Sequence, residues 1–260
     1  MNKHPSKISA LLITFNEEKN IDDVLKNLNF ADEIIVVDSY STDRTMNIIA
    51  EHKEVKVIQR AFKNYTDQKQ FALDQASYDW VLFLDADERI PKPLRKEILT
   101  VVNEEKKTSV AAYFFLRTFM FQNRILRFSG WQTDKNYRLF KKDKVRFIRN
   151  RIVHETLIVD GLSKTLKNRL IHYSYADYNS YKSKMVKYGK MKAQEEFRKG
   201  KREKWHHFLW RPAYKFLNHY IFRFGFLDGR KGVIICYLNA LGVWHRCIEM
   251  HKLTKAYNNL

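Results

Sequence analysis

Asp85, Asp87 and Glu88 place three carboxylates within four positions, directly after the apolar run Trp80–Leu84 (WVLFL). Acidic clusters usually belong on solvated helix faces or in tails, whereas this one leaves what reads as a buried strand. Two carboxylates one residue apart at a strand end can give oxygen ligands to Mg2+ or Mn2+, ions that bind through one or two carboxylates plus substrate phosphates. Such an ion neutralises the charge that grows on a departing diphosphate. A solvated turn is the plainer reading of the same residues. Asp38, after the apolar run of residues 34–37, is equally double: it can form a turn or enter a helix, or it can read a base or ribose. No GxGxxG and no GxxxxGK[ST] occurs, which disfavours dinucleotide and P-loop binding.

The elements around these residues follow from hydrophobic periodicity. ISALLIT (8–14), EIIVVD (33–38), residues 55–58 and WVLFL (80–84) read as strands. Between them, Ile21, Val24, Leu25 and Leu28 fall at helical spacing, and Ser41 or Thr42 can cap a helix running through Ile49. Residues 67–76 read as a third helix and 93–102 as a fourth, with proline in its first turn. Continuous apolar strands alternating with helices imply an α/β fold with a parallel sheet covered on both faces. Ligands of such sheets bind off the carboxyl ends of the strands. Strand one ends in Thr14-Phe-Asn-Glu-Glu18, strand two in Asp38-Ser-Tyr-Ser-Thr-Asp43 and strand four in the carboxylate cluster, so three polar sets share one edge. After residue 110 the pattern changes to strands at 111–117, 137–140, 145–148 and 170–173. A long helix to about Lys199 and an aromatic, Arg-rich remainder follow.

Charge divides the chain as the pattern does. The 260 residues carry a net charge of +19, yet residues 1–110 hold 16 Lys and Arg against 19 Asp and Glu, whereas 111–260 hold 32 against 10. The basic half should meet something anionic: nucleic acid, a phosphorylated glycan or an anionic membrane. From Trp205 onward Phe208, Trp210, Tyr214, Phe216, Tyr220, Phe222, Phe224 and Phe226 interleave with cations. That composition suits a membrane interface, where rings sit at headgroup depth; it also suits base stacking or a solvated helix bundle. Residues 232–244 (GVIICYLNALGVW) are apolar but too short to span, so they are expected to pack or dip. Cys236 and Cys247 give neither a disulfide framework nor metal-ligand spacing, and no secretory leader is read at the N-terminus, so a reducing, cytoplasmic setting is expected.

TFNEEKNI (14–21), VVDSYSTDRT (36–45) and WVLFLDADERI (80–90), in this order, resemble family 2 glycosyltransferases of the GT-A fold. GWQTDKNYRLFKK (130–142), IVHETLIVDG (152–161) and LIHYSY (170–175) extend the likeness to the lipopolysaccharide core glucosyltransferases that act on inner-core heptose. That subgroup shows an aromatic and a proline before the aspartate of the GW motif, whereas Gln132-Thr133 precede Asp134 here.

The resemblance implies a GT-A domain over residues 1–173, with a nucleotide-sugar half to about 110 and an acceptor half to 173. A basic, aromatic, helical extension over 174–260 would face a membrane. It implies that Thr14, Phe15, Asn16 and Glu17 border the nucleotide, that Asp38 reads uracil or ribose, and that Asp85 and Ala86 lie near the ribose and metal. Asp87 would ligate Mg2+ or Mn2+ directly, with His154 completing the metal shell. Inversion by direct displacement requires one general base; Glu155 is the candidate and Asp134 the runner-up. Lys69, Arg138 and Arg151 are cations that could contact diphosphate or acceptor phosphate, and Trp131 with Arg138 is placed on the acceptor side. The donor implied is a UDP-hexose, UDP-glucose first, and the acceptor a saccharide or glycolipid at the inner face of the cytoplasmic membrane. A polyprenyl-phosphate acceptor is the alternative within the family. A non-catalytic nucleic-acid-binding protein is the rival class; it leaves the three carboxylate-bearing strand ends without a purpose.

Overall fold

The computed structural model describes residues 6–104, 109–122, 124–131, 134–147, 157–175, 177–202, 204 and 206–258. The first stretch alternates β1 (Ile8–Thr14), α1 (Ile21–Asn27), β2 (Glu33–Asp38), α2 (Thr45–Ala50), β3 (Val55–Gln59), α3 (Tyr65–Gln75) and β4 (Trp80–Leu84). Strands β1 to β4 are mutually parallel in the spatial order β3-β2-β1-β4. Their apolar runs are continuous because both faces are covered. Leu12, Val36 and Leu82 pack with Val24 and Leu25 of α1, while Leu11, Val37, Val81 and Phe83 pack with Ala72 and Leu73 of α3. Neighbouring residues thus enter opposite cores, as the two-residue period of a strand requires. Each such fully buried Leu, Val or Phe side chain contributes about 1.5–3 kcal/mol of transfer free energy.

The chain continues through β5 (Glu88–Arg89), α4 (Lys92–Asn103), β6 (Val110–Phe121), β7 (Arg124–Leu126), β8 (Lys135–Lys141), β9 (Val145–Phe147), β10 (Leu157–Val159), β11 (Leu162–Thr165) and β12 (Leu170–Tyr175). Strand β8 runs antiparallel to β4 and to β6, and β12 pairs with β5 through His172↔Glu88. Helix α4 adds Leu94, Ile98 and Val102 to the α1 side. The result is a helix-flanked α/β sheet of the GT-A kind, but a mixed one: the parallel strands β1 to β4 are extended by antiparallel pairings of β8 with β4 and β6, where the sequence pattern suggested a mostly parallel sheet. Helix α3 begins two residues earlier than its periodicity suggested, because the Asn64 side chain accepts from the Asp67 amide at 2.9 Å and caps it. Helix α2 is not capped by Ser41 or Thr42; Asp43 accepts instead from the Thr45 amide (3.0 Å) and hydroxyl (2.5 Å).

Helices α5 (Tyr178–Arg198), α6 (His207–Leu217) and α7 (Gly229–Asn258) complete the chain, with a π-helical turn at Asn218–Phe222 and a 3-10 turn at Gly225–Asp228 between the last two. Two compact units result: Met1–Arg117 with Lys135–His172, and Thr118–Asp134 with Tyr173–Leu260. Residues 118–134 therefore go with the helices, not with the acceptor half to which the sequence reading gave them. The reason is packing: Phe119, Phe121 and Leu126 share a core with Tyr181, Ile235 and Leu238. In this unit a Cβ on Gly189 of α5 would stand 2.3 Å from the Gly242 carbonyl oxygen of α7, so only glycine permits the helices to approach this closely. The apolar segment 232–244 lies inside α7 with Ile235, Cys236 and Leu238 fully buried, so it packs. Among the described residues no helix is long and apolar enough to cross a membrane.

Candidate active site

Strand register brings the polar strand ends level. Thr14 pairs with Asp38, Asp38 with Gln59, and Leu12 with Leu84, so Thr14, Asp38 and Asp85 share the carboxyl edge of the sheet. The loops after β1 and β2 are laced together there. Asn16 Oδ1 accepts from the Thr42 amide (2.8 Å), Ser41 Oγ from the Asn16 amide (2.9 Å), Thr45 Oγ1 from the Glu17 amide (2.8 Å) and Asp43 from the Glu18 amide (3.1 Å). Asp38 is fully buried and accepts from the Ser41 amide (2.9 Å), the Ser41 hydroxyl (2.5 Å) and Gln59 (3.3 Å). It thereby fixes a turn in which Tyr40 has φ +58, matching Asn16 at +56 across the edge. Asparagine tolerates that region; a tyrosine there costs on the order of 1–3 kcal/mol and persists only where its surroundings hold it. The outcome is that the rings of Phe15 and Tyr40 stand in solvent, each 55% exposed, at the edge of the sheet. Thr14 Oγ1 is buried with no hydrogen-bond partner among the described residues.

The three carboxylates after β4 have three different environments. Glu88 is fully buried; it accepts from the Asp85 amide (3.1 Å) and from Arg138 Nη2 (2.7 Å), with Arg117 Nη1 3.6 Å away. Burial pushes its pKa up and outweighs the pull of Arg138. Asp85 is hydrogen-bonded to the same Arg138 nitrogen and has Lys69 Nζ at 3.9 Å. Burial raises its pKa too, but Arg138, then Lys69, His172 and Arg117, overcome that and hold the carboxyl well below the usual range. Asp87 faces His172, whose Nε2 lies 3.2 Å from Asp87 Oδ2. Ala86 is buried between them and its carbonyl accepts from Arg89 (2.7 Å). Glu17 comes from the β1 loop, and its pKa is raised by burial and further by Asp87, Asp43 and Asp85, while a hydrogen bond from Asn20 opposes the shift. Negative charge is thus crowded at this edge, and Arg138 and Lys69 stand against Asp85 while Arg138 and Arg117 stand against Glu88.

A hard divalent cation fits the part that remains. Asp87 and His172 keep 25% and 14% of their side chains exposed and set an oxygen and a nitrogen donor side by side. Among the described residues no three His, Cys, Asp or Glu side chains converge into a complete metal cage. Mg2+ binds through as few as one carboxylate plus substrate phosphates, and Asp87 offers one. His172 was not singled out by sequence reasoning, and Glu88 was read as part of the carboxylate cluster without a role of its own. The signal was present in LIHYSY and in the acid following the Asp-x-Asp pair, but their partners lie far away in the sequence. His154 and Glu155, with Arg151, lie outside the described residues. Arg138, expected on the acceptor side, is instead 4% exposed and committed to two carboxylates, because β8 pairs with β4 and carries it beneath the cluster.

Trp131 and Asp134 belong to the second unit. Trp131 stacks on Phe119 (4.1 Å between ring centroids, 5° between planes), and the Asp134 amide donates to the Trp131 carbonyl (3.2 Å). The turn leading into them is held from a hundred residues away: Asp228 accepts from the amides of Arg127 and Phe128 (both 3.0 Å) and from the Ser129 hydroxyl (2.8 Å). His219 Nδ1 sits 2.9 Å from the Ser129 carbonyl, and burial pushes its pKa down to about 4. Asp228→Ala removes all three acceptor contacts, and hydrogen bonds to a charged group each contribute about 1.5–3 kcal/mol where shielded. The expected result is a lower urea midpoint together with faster hydrogen exchange at the Arg127 and Phe128 amides. Unchanged exchange at those two amides would show that the turn holds itself.

An α/β sheet whose polar strand ends gather at its carboxyl edge is the architecture of an enzyme that binds its substrate there. Residues 9–161 match the model of glycosyl transferase family 2, and the chain belongs to that family. It is 28% identical to the lipopolysaccharide core biosynthesis glycosyltransferase LpsC of Rhizobium meliloti (strain 1021), covering 92% of this chain and 92% of that relative. It is 30% identical to an uncharacterized glycosyltransferase of Rickettsia bellii (strain RML369-C), covering 97% and 88%. Among solved structures it is similar to S. aureus TarS 1–349 in complex with UDP, with 17% identity, 96% and 92% coverage and a TM-score of 0.47. Glucosyl-3-phosphoglycerate synthase from Mycobacterium tuberculosis, in complex with Mn2+, UDP and phosphoglyceric acid, matches 45% of this chain and 44% of its own, with 23% identity and a TM-score of 0.35.

Proposed function

We propose that this family 2 enzyme transfers a hexose, glucose from UDP-glucose, to a saccharide or glycolipid acceptor of the lipopolysaccharide inner core, with inversion at the anomeric carbon. The observation that carries the reading is the Asp87–His172 pair standing beside an Asp85 that Arg138 and Lys69 already neutralise. Asp87 would carry the metal, and its neighbour Asp85 is held anionic beside it. The role of the Rhizobium relative in lipopolysaccharide core biosynthesis supports the acceptor class. Mg2+ or Mn2+ held by Asp87 and His172 would supply charge neutralisation for the departing diphosphate. Phe15 and Tyr40 would flank the base, and the laced loops of residues 14–18 and 38–45 would hold the nucleotide against the sheet edge. Lys69, 3.9 Å from Asp85, would meet diphosphate oxygens there. The enzyme would work in the cytoplasm at the inner face of the membrane, where such an acceptor is presented, and nucleic acid is not its partner.

Asp87→Asn tests the metal. It keeps the side-chain shape but removes an anionic ligand, so the expected outcome is a folded protein with most turnover lost. The independent readout is thermal: UDP with Mn2+ should raise the melting temperature of the wild type, as any ligand of the native state does. It should do so much less in Asp87→Asn and in His172→Ala. Full activity in excess EDTA would remove the metal from the proposal.

A further inference from the structure

We infer that α6 and the two turns after it form a one-sided platform that seats the second unit on an anionic lipid surface. Helix α6 lies on α7 through Phe208, whose ring meets Trp244 and His251 edge-on (6.4 and 5.7 Å). Trp210, Tyr214, Leu217 and Ile221 follow one another at spacings of four, three and four residues, which places them on a single stripe of the continuous helical run. All four are exposed, Trp210 by 68% and Tyr214 by 66%. The stripe broadens at its end, where Phe224 takes a left-handed conformation (φ +55) and Phe222 and Leu227 are 70% and 57% exposed. A soluble protein rarely leaves so continuous an apolar surface without a use for it.

Charge selects the occupant. From Lys204 to Leu227 the chain has Lys204, Arg211, Lys215 and Arg223 and no Asp or Glu at all. The next acid, Asp228, is turned inward onto the amides of Arg127 and Phe128. Lys215 is partly buried, so Lys204, Arg211 and Arg223 are the cations this stretch offers beside its rings and aliphatic tips, a combination that matches a bilayer with anionic headgroups. A second copy of the chain would bring like charges together. A nucleic-acid strand would find the aromatics but no use for Leu209, Leu217, Ile221 and Leu227, which have no face for a base to stack on. The apolar segment 232–244 is divided: Ile235, Cys236 and Leu238 are core, while Val233, Tyr237 and Trp244 are exposed. This inference deepens the membrane part of the proposed function and rests on it; the transfer reaction stands or fails separately.

The test uses the full chain and sedimentation with vesicles of phosphatidylcholine alone or mixed with phosphatidylglycerol. The wild type is expected to bind the mixed vesicles and not the neutral ones, more weakly at high salt because the polybasic part is screened. Trp210→Ser/Tyr214→Ser/Phe222→Ser alters only exposed side chains. It should cut binding at least tenfold while circular dichroism and activity on a soluble acceptor stay unchanged. Undiminished vesicle binding by the triple variant would overturn the inference, as would a wild type that ignores anionic vesicles at low salt. A concentration-dependent dimer or an oligonucleotide complex, lost in the triple variant without any vesicle binding, would overturn it and identify the other occupant.

Discussion

Arg138→Met is expected to destabilise the protein by about 3–5 kcal/mol, the usual cost of removing one partner from a buried ion pair. The arginine is 4% exposed, and one of its nitrogens donates to both Asp85 and Glu88. Without it, Glu88 would remain fully buried with Arg117, at 3.6 Å, and His172 left to balance its charge. Asp85, with 34% of its side chain exposed and Lys69 still near, would suffer less. Two further variants make the cause visible. Arg138→Lys retains a cation and should lose less than the methionine variant. Adding Glu88→Gln to Arg138→Met removes the stranded charge while keeping an oxygen for the Asp85 amide, so it should recover much of the lost stability. Urea denaturation of the wild type, Arg138→Met, Glu88→Gln and the double variant closes a cycle that gives the coupling energy directly, with Arg138→Lys measured alongside. A loss below about 1 kcal/mol in Arg138→Met would mean that water reaches the cluster and that Asp85 is not held by this contact. Activity should fall with Arg138 in either background, because the orientation of Asp85 goes with it.

The cluster shows what a sequence displays and what it hides. Strands β1, β2 and β4 were legible to the residue because each is a continuous apolar run buried on both faces, and the bounds of such a run are the bounds of the strand. The edge position of the carboxylates followed from them. Strands β5, β7, β10 and β11 span two to four residues, too few for any period to show. The burial of Arg138 was invisible for a different reason. In KNYRLFK the arginine occupies an ordinary strand position, and its meaning depends on which strand lies next to β8. That neighbour is β4, some fifty residues earlier, and the carboxylates beyond β4 convert a surface-type residue into a buried counter-ion. His172 was hidden in the same way, since only the pairing of β12 with β5 brings it to Asp87. The turn of residues 127–131 joins the helical unit because Asp228 and the Phe119 core hold it, which no local pattern records.

The base of the reaction is the step with the largest expected kinetic effect, and two carboxylates compete for it. Inverting displacement needs a group on the acceptor side of the sugar that can take the proton of the attacking hydroxyl through one hydrogen bond. Asp85 is excluded by its surroundings: a carboxyl held far below the ordinary range by Arg138 and Lys69 is a poor proton acceptor. Asp87 stands with His172 as the proposed metal platform, on the leaving-group side. Glu88 is sealed in the interior. Glu155 and Asp134 are the candidates that the family resemblance implies, the first by its place in the IVHET motif, the second by its place after Trp131. We expect Glu155→Gln to keep the stabilisation of the protein by UDP and Mn2+ while lowering kcat by about 10²–10⁴-fold, the contribution general-base catalysis usually makes. Asp134→Asn should act mainly through the acceptor, raising its KM with a smaller change in kcat. The discriminating measurement is the pH profile of kcat for both variants. Loss of the acidic limb in Glu155→Gln, with retention in Asp134→Asn, assigns the base to Glu155. The converse pattern, with near-normal turnover in Glu155→Gln, transfers it to Asp134 and leaves the donor-side assignments as they are, since none of them depends on which carboxylate receives the proton.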